Sequence, residues 1–74
     1  GFGEGKKVRL SFAITKDAGL QLLECPLSED QQVKDLGDHY EITATVVQTA
    51  ILEKWLRGFG AAVQRVTATP VLNQ

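Results

Sequence analysis

Ile51-Leu52-Glu53-Lys54-Trp55-Leu56-Arg57-Gly58-Phe59-Gly60 reads as a short helix with one apolar face, stopped by a Gly-Phe-Gly turn that hands the chain to Ala61-Ala62-Val63. Positions 51, 52, 55, 56 and 59 recur at the spacing of a single helical face, so a large apolar stripe, with the chain's one Trp in it, is aimed at a sheet. Glu53, Lys54 and Arg57 are left to face water. What flanks this helix then decides the fold.

Before it lies the clearest strand in the chain. Tyr40, Ile42, Ala44 and Val46 fall on one face, and Glu41, Thr43 and Thr45 on the other. The helix is expected to start near Gln48 or Thr49, and Gly58 and Gly60 give the backbone freedom to leave it. After it comes a strand from about Ala62 to Thr67, ending before Pro70. Its alternation is blurred because Val63 and Val66 differ in parity, which points to a bulge or an edge position.

The first half repeats the plan. Val8, Leu10 and Phe12 alternate with Arg9, Ser11 and Ala13 as a strand with one buried face. Thr15 is an N-cap candidate, with Asp17 in the first turn of a helix that reaches Glu24 or Cys25 and is stopped by Pro26. Ala18 with Leu22 and Gly19 with Leu23 supply its inner face. Leu27 to Asp30 is a polar connection, Gln32 to Leu36 is a second strand, and Gly37-Asp38 turns it into the third. Strand, helix, strand, strand, helix, strand predicts a ferredoxin-like α+β domain: a four-stranded antiparallel sheet with both helices on one face. The other face is open, and carries Arg9, Ser11, Thr43, Thr45 and Gln64 or Arg65. Residues 1–7 are expected to be a linker or the end of a preceding segment, residues 8–70 the domain, and residues 71–74 a tail.

The chain has 74 residues, enough for one domain. A domain of this size buries only about 60% of the surface its unfolded chain exposes. Hydrophobic residues make up 43% and charged residues 23%, which places it with globular proteins and not with disordered or membrane chains. No apolar run approaches the ~20 residues that span a bilayer, and no signal peptide opens the chain. Cys25 stands alone and has no internal partner for a disulfide, so a cytosolic protein, or one piece of a larger one, is expected. Eight basic against nine acidic residues give a net charge of −1, which argues against strong autonomous binding to nucleic acid.

Catalytic constellations are missing. His39 sits beside the Gly37-Asp38 turn and reads as an exposed turn residue, since no Ser or Cys nucleophile has a motif around it. Cys25 reads as a buried or half-buried inert thiol. Glu29 with Asp30, and Asp35 with Asp38, lack the spacing of a calcium loop and read as solvated charge. Gly1-Phe2-Gly3-Glu4-Gly5 precedes a strand, whereas phosphate-cradling loops join a strand to a helix. Acylphosphatases, small enzymes of the same topology, need an arginine and glycines after the first strand and a catalytic asparagine. Here that loop is Ala13-Ile14-Thr15-Lys16, and the only asparagine is Asn73 in the tail. An RNA-binding sheet of this topology shows aromatics on its central strands, but Phe12 and Tyr40 both fall on the core alternation. No metal site, no cofactor and no enzymatic activity are expected.

From Val8 to Pro70 the chain resembles the C-terminal extension, often called WCX, that follows the WYL domain of bacterial transcriptional regulators. The residues that carry the resemblance are Val8, Leu10 and Phe12 in the first strand, Glu24-Cys25-Pro26 at the helix end, and Gln31 or Gln32 near the second strand. Gly37-Asp38 at the turn and Trp55-Leu56-Arg57-Gly58-Phe59-Gly60 with Val63 after it complete the set. The resemblance implies a cytoplasmic, non-enzymatic regulator made of a winged helix-turn-helix DNA reader, an Sm-like WYL sensor and this extension, which would pair subunits into a homodimer and help form or gate the effector site. Its partners would be the WYL domain of the same polypeptide and DNA through the other domains, and the effector of some members is proposed to be single-stranded nucleic acid. For an anionic effector the candidate contacts are Arg9 and Arg65, with Arg57 ranked behind them. A stand-alone small-molecule sensor of the ACT-like type is the alternative from a different class.

Overall fold

A computed structural model of the protein describes residues 5–71; residues 1–4 of the expected linker and residues 72–74 of the expected tail lie outside the described residues. The chain forms β1 (Lys6–Thr15), α1 (Lys16–Glu24), β2 (Gln32–Asp35), β3 (His39–Gln48), α2 (Ala50–Arg57), one 3-10 turn (Gly60–Ala62) and β4 (Val63–Pro70). All pairings are antiparallel, in the order β2-β3-β1-β4. Each half is a strand, a helix and a strand, and the halves interleave so that β1 and β3 lie at the centre. This is the ferredoxin-like α+β arrangement.

The core follows from the period of 2 along the two central strands. Leu10 lies opposite Ala44, Phe12 opposite Ile42 and Ile14 opposite Tyr40. Leu10, Phe12, Ile14 and Ile42 are fully buried, and Leu22 of α1 closes over them. Tyr40 and Val46, together with Leu52, Trp55, Leu56 and Phe59 from α2 and the turn after it, pack half-buried against the same cluster. Both helices therefore cover one face of the sheet, as the order of elements predicts.

Gly19 is where α1 meets the sheet. A Cβ placed there would come within 2.9 Å of Ile14 Cγ2 and 3.1 Å of the Tyr40 ring, so only a hydrogen lets the helix approach this closely. Ala normally stabilises a helix interior by about 1 kcal/mol over Gly. At this position the sign is reversed, because Ile14 is fully buried and its branched side chain has nowhere to retreat. Gly19→Ala is expected to destabilise the domain by about 1–3 kcal/mol, read as a lower midpoint in chemical denaturation with an unchanged slope.

Leu23, expected on the inner face, is 42% exposed. It lies about 90° around the helix from the centre of the Ala18, Gly19 and Leu22 face, too far to reach the sheet. Ile51 departs from expectation for the same reason, at 81% exposed. The stripe that faces the core is Leu52, Trp55, Leu56 and Phe59, and Ile51 is about 90° from its centre. Trp55 and Phe59 meet edge to face, ring centroids 4.8 Å apart and planes at 88°. α2 is capped by Thr49, whose Oγ1 accepts a hydrogen bond from the Leu52 amide at 3.1 Å. Of the two glycines that follow, Gly58 keeps an ordinary right-handed conformation, and Gly60 (φ 59°) makes the left-handed exit.

The strand boundaries also differ. β1 begins at Lys6, inside the stretch expected as linker, because Lys6 and Lys7 continue the pairing with Gln48 and Val47. β4 starts one residue later than expected, after the 3-10 turn, and includes Pro70. Pro70 is tolerated because β4 is an edge strand and its missing N–H falls on the outer side. The bulge expected from the blurred alternation is present. Between the pairs Ser11↔Thr67 and Ala13↔Gln64, β1 advances two residues and β4 three, with Arg65 held at φ 56°. The extra residue turns Val66 to the same side as Val63, and both line a groove against Leu56 of α2.

Candidate functional site

The face of the sheet away from the helices is polar and ordered in rows by the strand register. One row runs Thr69, Arg9, Thr45 and the next Thr67, Ser11, Thr43, Gln32; a third runs Gln64, Ala13, Glu41, Lys34. The expected open face is thus assembled as written, with Gln64 and not Arg65 as the β4 member of the third row. Phe12 and Tyr40 belong to the core side. Among the described residues this face presents no aromatic platform on which bases stack.

Arg9 is at the middle of the face and does not stand alone. Its Nη1 donates to Asp30 Oδ2 at 2.9 Å and to Thr45 Oγ1 at 3.0 Å. Asp30 comes from the loop before β2. Its other oxygen accepts from the Thr45 backbone amide at 2.9 Å and from the Ser28 hydroxyl at 2.6 Å. The aspartate stands beside Thr45 of β3, where β2 prolonged by two residues would come, and so pins the loop to the open face. The Ser28 hydroxyl, then Thr45, then the charge of Arg9 hold its carboxyl far below the usual carboxylate range. In the sequence alone Asp30 reads as solvated loop charge, and the structure makes it the partner of Arg9 and Thr45 instead. Nothing local marks its contact, which joins positions 21 and 15 residues apart in the chain.

Gln31 fastens the same loop from the other side. Its Oε1 accepts from the Leu27 amide at 2.8 Å and its Nε2 donates to the Leu22 carbonyl at 2.9 Å, closing the end of α1 over the turn at Pro26. Of the two glutamines carrying the resemblance, Gln31 is the one with a structural task. At the opposite end of the sheet, Lys16 Nζ lies 2.8 Å from Asp35 Oδ1 and 5.3 Å from the centre of the Tyr40 ring. Asp35 also accepts from the Gly37 amide at 2.8 Å, and Asp38 Oδ1 is 3.0 Å from His39 Nδ1. These carboxylates brace the hairpin between β2 and β3.

Acid should therefore destabilise the domain. Asp30, Asp35, Asp38 and Asp17 all titrate below their ordinary value in the fold: Asp35 chiefly through Lys16, Asp38 through His39, and Asp17 through the Thr15 hydroxyl. A depressed carboxylate adds stability that is present above its unfolded pKa, near 4, and is lost as pH falls through the folded value. Lys16, raised mainly by Asp35, acts in the other direction, with its contribution lost only as pH rises above 10.5. The melting temperature is expected to hold through neutral pH and to fall below about pH 4. Asp30→Asn should flatten that fall, which a series of thermal melts across pH checks.

The three candidate arginines are not brought together. Arg9 is central on the open face, Arg65 is at the bulge on the β4 edge, and Arg57 closes α2 at the rim of the groove on the helix side. That groove, about 540 Å³, is lined by Glu53, Leu56, Arg57, Gly60, Val63 and Val66. Cys25, expected to be at least half-buried, is exposed, since it follows the last helical residue where the chain leaves for Pro26. Among the described residues no three His, Cys, Asp or Glu side chains gather as metal ligands, and no helix is long and apolar enough to cross a membrane. No family model matches the chain, and neither a curated protein nor a solved structure matches it.

Proposed function

We propose that the chain is the C-terminal regulatory and dimerisation domain of a bacterial WYL-type transcriptional regulator, acting in the cytoplasm and without catalytic activity of its own. The observation that carries this reading is Arg9, a cation at the centre of an open polar face, held by a carboxylate that an anionic ligand can replace. A phosphate of single-stranded nucleic acid, the effector class implied by the resemblance, offers Arg9 the same oxygen geometry as Asp30. Asp30 then works as the built-in competitor that sets the threshold for binding. Arg65 and Arg57 stand too far from this arrangement in the fold to share one phosphate group with it, and serve at most as separate contacts.

The test is a titration of a labelled single-stranded oligonucleotide at low salt, read by anisotropy. Asp30→Asn should tighten binding severalfold, Arg9→Gln should weaken it, and the affinity should fall with added salt. An affinity that responds to neither substitution contradicts the reading. The alternative, a stand-alone ACT-like sensor, is favoured by one observation, the apolar groove between α2 and β4. A thermal-shift screen with amino acids and nucleotides separates the two: a sensor is stabilised by its small ligand, whereas the regulatory domain is indifferent to amino acids.

A further inference from the structure

The two edges of the sheet differ in a way that singles out β4. β2 is four residues long and carries Lys34 and Asp35, the short charged form that discourages pairing. β4 is eight residues long, and from Val66 to Thr69 it has no charge at all. Its inner side is satisfied: the Val71 amide donates to the Lys7 carbonyl at 3.1 Å, and the same register turns Thr69 and Thr67 toward β1. By alternation, Ala68 and Val66 turn their N–H and C=O groups outward, and among the described residues no strand meets them. The bulge at Arg65 ends this free stretch on one side. Pro70, the next outward position, has no N–H to offer and ends it on the other.

We propose that this edge pairs with the same edge of a second copy of the chain, making one continuous eight-stranded sheet across a two-fold axis. The antiparallel register that satisfies the outward groups sets Val66 opposite Ala68 of the second copy and Ala68 opposite its Val66, four hydrogen bonds in all. Thr67 then lies on the axis, facing Thr67 of the second copy on the open face, a favourable cross-strand pair. On the other face both grooves meet at the seam, so that Val66, 47% exposed in the single chain, is covered together with Leu56 and Val63. The two-fold turns the α2 helices antiparallel to one another. Glu53 and Arg57, which line each groove, are complementary between copies in that sense. A foreign strand would satisfy the same hydrogen bonds, but only a second copy supplies this matching groove and charge pair. The inference deepens the dimerisation part of the proposed function, and the contact is small enough that the dimer is weak and dependent on concentration.

Sedimentation of the chain over a range of concentrations tests it, using T67K and T67E, whose exposed side chains leave the core untouched. Circular dichroism verifies that both fold. Because Thr67 meets its own symmetry mate, either charge is repelled in its own homodimer, and each variant alone should associate at least about tenfold more weakly than the wild type. An equimolar mixture of the two should recover association at or above the wild-type level. A wild type that stays monomeric up to about 1 mM overturns the proposal, as do variants that associate like the wild type or a mixture that fails to recover. None of those failures bears on whether a DNA reader and a WYL barrel precede this domain, which is decided by the intact polypeptide.

Discussion

Phe12→Ala is expected to cost about 3–5 kcal/mol and to leave much of the chain unfolded at room temperature. Phe12 is 1% exposed, lies opposite Ile42 in the central pair of strands, and is surrounded by Leu10, Ile14 and Leu22. Its ring is the largest fully buried side chain, so the cavity left behind sits where both halves of the fold meet and neither helix can settle into it without leaving the other strands. A domain of this length has a total stability of only about 4–11 kcal/mol, against which the loss is a large share. Phe12→Leu, which refills most of the volume, should cost less than half as much. Equilibrium denaturation of both variants checks the ranking. An alanine variant with a midpoint near that of the wild type would mean that the central strands are not held together by this residue.

Trp55→Ala is the second large effect, about 2–4 kcal/mol. The loss is smaller than for Phe12 because Trp55 is half-buried, and part of its contact is with Phe59 of the same turn. That pair does two things. It covers the core cluster from the α2 side, and through Phe59 it ties the turn that leads into β4 to that cluster. Removal of the indole should therefore loosen β4 before it loosens the central strands, seen as faster amide exchange at Thr67 and Thr69 than at Ile42. Uniform exchange across all four strands would show instead that α2 is fastened to the sheet as a whole.

Much of this architecture was legible in the chain because it depends on periods. Val8, Leu10 and Phe12, and Ile42 and Ala44, alternate cleanly and are buried where the alternation puts them. The bulge was legible from a defect in the same signal, the mismatched parity of Val63 and Val66. Periodicity fails at the margins of a face. Ile51 and Leu23 each sit about a quarter turn from the centre of their stripe, where a sequence window still counts them inside. Contacts that join loop to sheet were not legible at all. Asp30 against Arg9 and Thr45 depends on where the loop crosses β3, a tertiary fact with no local signature, so the sequence shows the arginine of the candidate site without its partner. The closeness of Gly19 to Ile14 and Tyr40 is of the same kind.

The central claim, that this chain regulates within a larger DNA-binding protein, is tested most directly by the mass and sequence of the intact polypeptide isolated from its source. A helix-turn-helix followed by a small β-barrel with a Trp-Tyr-Leu motif is expected upstream of Gly1. A native polypeptide that carries neither would contradict the claim.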